Sequence, residues 1–244
     1  MLTESLGYME GSFKLLTDSL EKYLIGKGCI FKYNAKIENV NENGDKWIID
    51  TEEYDAVIST VAYPITKSIF DKYLNKNEKD ILDNVKYTAA RTMMILLDKP
   101  LTDFYWLNIG ENDIPFGGVI EHTNLVSKEQ YNNNNIVYIS NYMYQDEEMY
   151  KMTKEKLLET YEPYLKRISD RFNLENVIEF EVYDELYAQP IIENNYSQKI
   201  LKFKLDKKGL YVATMPQIYP EDRGMNYAIK IGYEVAQSII NNLG

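Results

Sequence analysis

The 244 residues contain one cysteine, Cys29, and one histidine, His122. A lone cysteine closes no internal disulfide, so a disulfide scaffold is excluded and a reducing cytoplasm is the simplest setting. With so few of these residues, no Cys/His cluster has metal-ligand spacing, and a Cys–His nucleophilic couple would need two segments far apart in the chain to meet. Positive charge is also scarce. The chain has 27 Lys and Arg against 38 Asp and Glu, a net charge of −11, which argues against sequence-independent binding to nucleic acid or to anionic membranes. No apolar run reaches the ~18 residues that a membrane-spanning helix needs. The opening "MLTESLGYMEG" has neither the basic nor the apolar region of a signal peptide. The Walker loop, the nucleophile elbow and the G-x-G-x-x-G dinucleotide fingerprint are missing too, since "GKG" (26–28) and "FGG" (116–118) lack its spacing.

What is present is a mixed α/β pattern, in a chain long enough for one large domain or two small ones. Residues 12–25 form an amphipathic helix with Phe13, Leu16, Leu20, Tyr23 and Leu24 on one face, stopped by Gly26 and Gly28. "CIFKY" (29–33) and "KWIID" (46–50) read as strands, the second preceded by the turn signal Asn43-Gly44. "YDAVIST" (54–60) suits a buried strand. Pro64 opens a helix to about Leu74, and a second helical piece runs to Val85. The segments "RTMMILLD", "FYWLNIG", "GGVIEHTN" and "IVYISNYM" alternate as a largely antiparallel sheet does. A long helix over 155–172, with Pro163 as a kink, precedes "VIEFEVYDELYAQPI" and the short strand "GLYVAT".

The chain closes on "YPEDRGMNYAIKIGYEVAQSII" (219–240), a helix preceded by a tight loop. Ala228, Gly232, Val235 and Ile239, with Ile229, Ala236 and Ile240, form an apolar stripe, and Lys230, Glu234 and Gln237 lie outside it. The free N–H groups and positive dipole end of this helix point out of the loop, towards solvent or a ligand.

Four stretches resemble the C-terminal part of the FAD-dependent amine oxidase superfamily, which includes protoporphyrinogen oxidase-like, phytoene desaturase-like and UDP-galactopyranose mutase-like proteins. "GYMEGSFKLLTDSLEKYLIGKGCIFKYNAKIENV" is similar to the family's turn, helix, strand and V-x-x-I segment. "YDAVIST" resembles the strand that returns to the flavin domain. "IPFGGVIEHTNL" and "VYISNYM" look like substrate-domain strands, and "YPEDRGMNYAIKIGYEVAQSI" resembles the terminal flavin-contacting motif. The resemblance implies a substrate domain on an antiparallel sheet (62–202) and an incomplete flavin-binding half built from 1–61 and 203–244. Family members begin with a strand, G-x-G-x-x-G and a helix that cradles the FAD pyrophosphate. Met1 stands beyond that point, so the chain is expected to be a fragment, with FAD in the complete parent and none held stably by this chain alone.

The resemblance also assigns roles. Arg223, Gly224, Met225 and Asn226 would lie beside the flavin's pyrimidine edge, and the backbone of Ile37 would contact its adenine. His122, Asn141, Tyr142, Tyr187 and Gln189 are candidates for the substrate face, although each suits a sheet surface or an aromatic core contact as well. Alternation in a strand would put Glu121 and His122 on opposite faces. No catalytic base maps onto any residue. The expected function is a part of a flavin-dependent oxidoreductase acting on a small organic substrate: an amine, a sugar nucleotide, or a polyene or porphyrinogen. The expected partners are that substrate, the missing N-terminal half, or a second copy meeting an exposed apolar surface. The alternative is a non-catalytic interaction module that kept the fold.

Overall fold

The computed structural model describes residues 6–243, the last of them by its backbone alone. Helix α1 (Lys14–Ile25) ends at the glycines expected to stop it, Gly28 taking a φ of +91°. Strands β1 (Val40–Asn43) and β2 (Lys46–Ile49) form a hairpin in which Asn43 faces Lys46 across a turn containing Gly44, and β3 (Glu52–Tyr54) adds antiparallel to β2. After β4 (Val57–Ser59), helix α2 (Tyr63–Phe70) begins with Pro64 in its first turn. Helix α3 (Lys76–Asn84) starts with a capping box: the Asn75 side chain accepts from the Glu78 N–H while the Glu78 carboxylate accepts from the Asn75 N–H. Strands β5 (Tyr87–Leu97), β6 (Trp106–Asn108), β7 (Gly118–Glu121) and β8 (Asn135–Met143) precede helix α4 (Lys154–Ile168). Then come β9 (Val177–Pro190), β10 (Leu210–Val212) and α5 (Met225–Leu243). The fold is mixed α+β and its larger sheets are antiparallel where their register is given, as expected.

Two compact units emerge, residues 6–35 with 91–184 and residues 36–90 with 185–243. Their ranges differ from the 62–202 and 1–61 with 203–244 that the resemblance implies for a substrate domain and a flavin half.

The first unit is built on the five-stranded sheet, order β6-β7-β8-β5-β9. Along β5 every second residue is buried, the period of two expected when one face of a sheet meets a core. Met93, Ile95, Val119, Val137 and Ile139 pack there with Leu157, Tyr161 and Leu165 of α4. Buried Arg91 fixes the turn before α4: Nη1 donates to the Met149 and Tyr150 carbonyls, Nη2 to that of Met152, and Nε pairs with Asp184 at 3.1 Å. Two expectations fail in this unit. "CIFKY" is not a strand but an irregular, exposed segment, with Cys29 at the surface and Ile30 85% exposed. Its composition favours a strand, but a strand needs a neighbouring strand, and among the described residues none forms a ladder with it; the Cys29 N–H instead closes the end of α1 on the Leu24 carbonyl at 3.0 Å. Likewise α1 has an apolar face but no buried side chain.

The second unit packs Trp47, Phe70, Leu82 and Tyr196 around the β1–β3 meander, α2 and α3. It also holds a two-stranded parallel pair, β4 with β10, in which Ile58 faces Tyr211 in the register. Gly209, at the start of β10, has φ +76°, and a Cβ there would lie 2.8 Å from Trp47 Nε1 and 2.9 Å from the Asp55 carbonyl oxygen. Helix α5 leans on this pair through Val235 and Ile239, which meet Tyr211, Ala213, Ala56 and Phe203. The expected single stripe of α5 is divided: Ile229 and Ile240 are 65% and 62% exposed.

Candidate functional site: a cleft at the ends of the parallel strands

Parallel strands joined by crossovers deliver their C-terminal ends to one edge of the sheet, the place where α/β folds put ligands. Just past the ends of β4 and β10, beside the first turns of α5, lies a cleft of about 630 Å³. Thr60, Ala213 and Thr214 continue the two strands into it, Ile218 lies in the following turn, and Ala228 and Gly232 face it from the helix. The volume falls in the range of small-molecule sites, and most of the lining is apolar.

The floor is held rigidly. Thr214 opens the turn Met215–Ile218 as its N-cap, with the Thr214 N–H donating to Gln217 Oε1 at 2.7 Å. Buried Gln217 in turn donates its amide hydrogens to the carbonyls of Leu201 and Val212, each at 3.0 Å. Tyr196 donates its hydroxyl to the Pro216 carbonyl at 3.1 Å, and burial pushes that phenol up to about 12. Ser59 and Thr66 share a buried hydroxyl contact of 2.7 Å at the end of β4. Sequence reading missed Gln217, though the spacing Thr214-x-x-Gln217 is the signature of a capping box.

Arg223 and Gly224 line the cleft. The Gly224 carbonyl accepts the first helical bond, from the Ala228 N–H at 3.0 Å, so Gly224 is the effective N-cap of α5. Its missing side chain makes room for its neighbour: a Cβ would sit 2.7 Å from Asn226 Oδ1. The Arg223 N–H donates to Asp222 Oδ1 at 2.8 Å, and Tyr227 donates to Glu221 at 2.9 Å. Met225 and Asn226 are exposed in the first turn and do not line the cleft. The N–H groups of this turn have no acceptor within the helix, which suits an anionic or electron-rich edge. Ile37 lies away from the cleft lining, 39% exposed in the irregular stretch before β1.

The other candidates are dispersed. His122 does not continue β7 but opens a short 3-10 turn, and both it and Glu121 are buried. Its Nε2 lies 2.8 Å from the Tyr131 hydroxyl, Tyr8 packs edge-on at 5.0 Å, and burial lowers its pKa. The Glu121 carboxylate accepts from the N–H groups of Leu101 and Thr102 and from the Thr102 hydroxyl, a structural role. Asn141 donates to the Pro115 carbonyl at 2.6 Å on the core side of β8, while Tyr142 is exposed. Tyr187 packs edge-on against Tyr87 at 5.3 Å within the second unit's core, and Gln189 borders a small pocket of about 40 Å³ with Tyr219 and Arg223. Among the described residues no group of acidic, His or Cys side chains is placed to hold a metal, and no helix is long and apolar enough to cross a membrane.

Antiparallel sheet, parallel pair and terminal helix together define a fold seen in solved oxidoreductase structures. A putative protoporphyrinogen oxidase from Exiguobacterium sp. 255-15 matches 94% of this chain over 51% of its own, with TM-score 0.73 and 11% identity. A reduced UDP-galactopyranose mutase matches 95% over 52% (TM-score 0.70, 16% identity), and a putrescine oxidase bound to putrescine 95% over 53% (0.71, 12%). At these identities the likeness is one of fold, and the chain spans about half the length of these structures. No protein-family model and no curated protein matches the sequence.

Proposed function

We propose that this chain is the part of an FAD-dependent oxidoreductase that supplies the substrate domain and the wall facing the flavin ring. The carrying observation is the cleft at the C-terminal ends of β4 and β10, closed on one side by the start of α5. Its residues fit the ring end of the cofactor. Ile58, Ile218 and Val235 offer apolar contact to a planar system, while Arg223 and Gly224 are the part of the lining available to a pyrimidine edge. When bound, the flavin supplies the electron transfer. Arg223, which lines the cleft, would supply positive charge to the edge where negative charge develops. The adenine contact is assigned to the backbone of Ile37, and the pyrophosphate contacts to a glycine-rich segment, which this sequence does not contain. The substrate of this reading is a small organic molecule such as an amine, a sugar nucleotide, or a polyene or porphyrinogen, with exposed Tyr142 of β8 as its candidate contact, since His122 is buried and bonded to Tyr131.

The test separates ring from phosphates. The purified chain is expected to be colourless and to leave FAD fluorescence unchanged at micromolar concentration. Lumiflavin, which carries the ring without phosphates, is expected to bind weakly, and the Gly232→Trp variant to lose that binding. Space is open around Gly232, so the indole enters the cleft without displacing backbone. Lumiflavin binding equal in wild type and Gly232→Trp, or none at millimolar concentration, would refute the assignment.

A further inference from the structure

The second unit carries another cavity, of about 550 Å³, which shares no lining residue with the cleft beside α5. One wall is α3 with its N-cap Asn75, and the other is the chain from Gln198 to Asp206. Hydrogen bonds hold the two walls in place. Buried Glu78 accepts from the Asn75 N–H at 2.9 Å with one carboxylate oxygen and from the Asp206 N–H at 2.8 Å with the other. The Asn75 side-chain amide donates across to the Asp206 carboxylate. Between the walls lie Ile81, Leu201 and Leu205, the two leucines buried, so the polar rim surrounds an apolar floor.

The charges of the lining cancel: Lys199, Lys202 and Lys204 stand against Glu78, Asp80 and Asp206. Several are spent within the protein. Asp80 pairs with Lys76 at 2.6 Å, Lys199 pairs with Glu193 at 2.7 Å, and Lys204 donates to the Asn242 side chain. Lys202 and Asp206 are left, one of each sign. A ligand with a net charge would leave one of them unmatched, and its own desolvation would oppose binding. The side-chain amides of Asn77 and Gln198 also line the cavity, and among the described residues neither has a partner. Each offers two donor hydrogens and an acceptor oxygen.

We propose that this cavity binds an uncharged sugar unit, with its hydroxyls on Asn77, Gln198, Lys202 and Asp206 and a C–H face of its ring on Leu201 and Leu205. A hydroxyl both donates and accepts, so it satisfies amides, an ammonium and a carboxylate alike without adding charge. A sugar ring also has an apolar face, which the leucine floor needs and a simple polyol lacks. The volume lies in the range of small-molecule sites. The inference stands apart from the flavin reading, because it uses neither the cleft nor the cofactor.

The experiment titrates the isotope-labelled full chain with methyl glucoside and methyl galactoside to tens of millimolar and follows its side-chain amide signals. The expected result is a saturating shift of the Asn77 and Gln198 amides with at least one of the two sugars. Both residues are exposed, so Asn77→Ala and Gln198→Ala should keep the wild-type melting temperature. Each should weaken the sugar about three- to tenfold, the loss of one or two hydrogen bonds. Glucuronate, glucosamine and glutamine serve as anionic, cationic and zwitterionic probes, and each should bind more weakly than the better sugar. No saturating shift with either sugar, equal affinity in the Asn77→Ala/Gln198→Ala double variant, or tighter binding of any of the three charged probes would overturn the proposal.

Discussion

Gly209 shows how one residue joins two elements. Its positive φ and the 2.8 Å separation of a hypothetical Cβ from Trp47 Nε1 mean that any side chain strains both the backbone and the contact made by the buried indole. That indole donates to the Lys208 carbonyl at 3.1 Å and ties the β1–β3 meander to β10. Gly209→Ala is expected to cost about 1–3 kcal/mol in chemical denaturation. A neutral result would show that the turn relaxes. His122 gives a pH signature. Burial holds its pKa below the ordinary 6.5, so its contribution to stability is complete above that value and is lost as the pH falls through 6.5 towards the folded-state value. Stability should therefore decline between pH 7.5 and 5.5 in the wild type and stay flatter in His122→Gln, with equal slopes contradicting the burial argument. Some of this was legible in the residues. The loop Arg223–Gly224 could be placed beside a helix start from its own pattern, and both residues do line the cleft. Glu121 could not be read, because its partners, the amides of Leu101 and Thr102, are brought to it only by tertiary folding.

At the scale of elements, periodicity located the helices well because their apolar positions recur within one segment. Helices form at 14–25, 76–84 and 225–243, the second opened by the Asn75–Glu78 capping box. Strands were less legible, since a strand exists only where a neighbour accepts its hydrogen bonds. "DAVIST" and "GLYVAT" find each other and pair, whereas "CIFKY" joins no strand ladder among the described residues and stays irregular. Helix α5 tests the same logic. Val235 is buried against the parallel pair while Ile229 projects outward. Val235→Asp should therefore cost about 2–4 kcal/mol, and Ile229→Asp should fall within ~0.5 kcal/mol of wild type. Gly232→Ala should add about 0.5–1 kcal/mol through helix propensity, because space at that position is open. Equal losses at 229 and 235 would mean that the helix packs on a different face.

One unit of the molecule is an antiparallel sheet covered by α4; the other carries a parallel pair with a cleft at its end. Among the described residues α1 buries no side chain, β4 pairs with β10 alone, and Ile229 and Ile240 of α5 are exposed. The proposed function turns on whether the cleft receives the ring end of a flavin. Its most direct test is amide chemical-shift mapping of the isotope-labelled chain titrated with lumiflavin. The account predicts shifts concentrated at Thr60, Thr214, Gly224 and Gly232. Shifts confined to residues 91–184, or no shifts at millimolar lumiflavin, would contradict it.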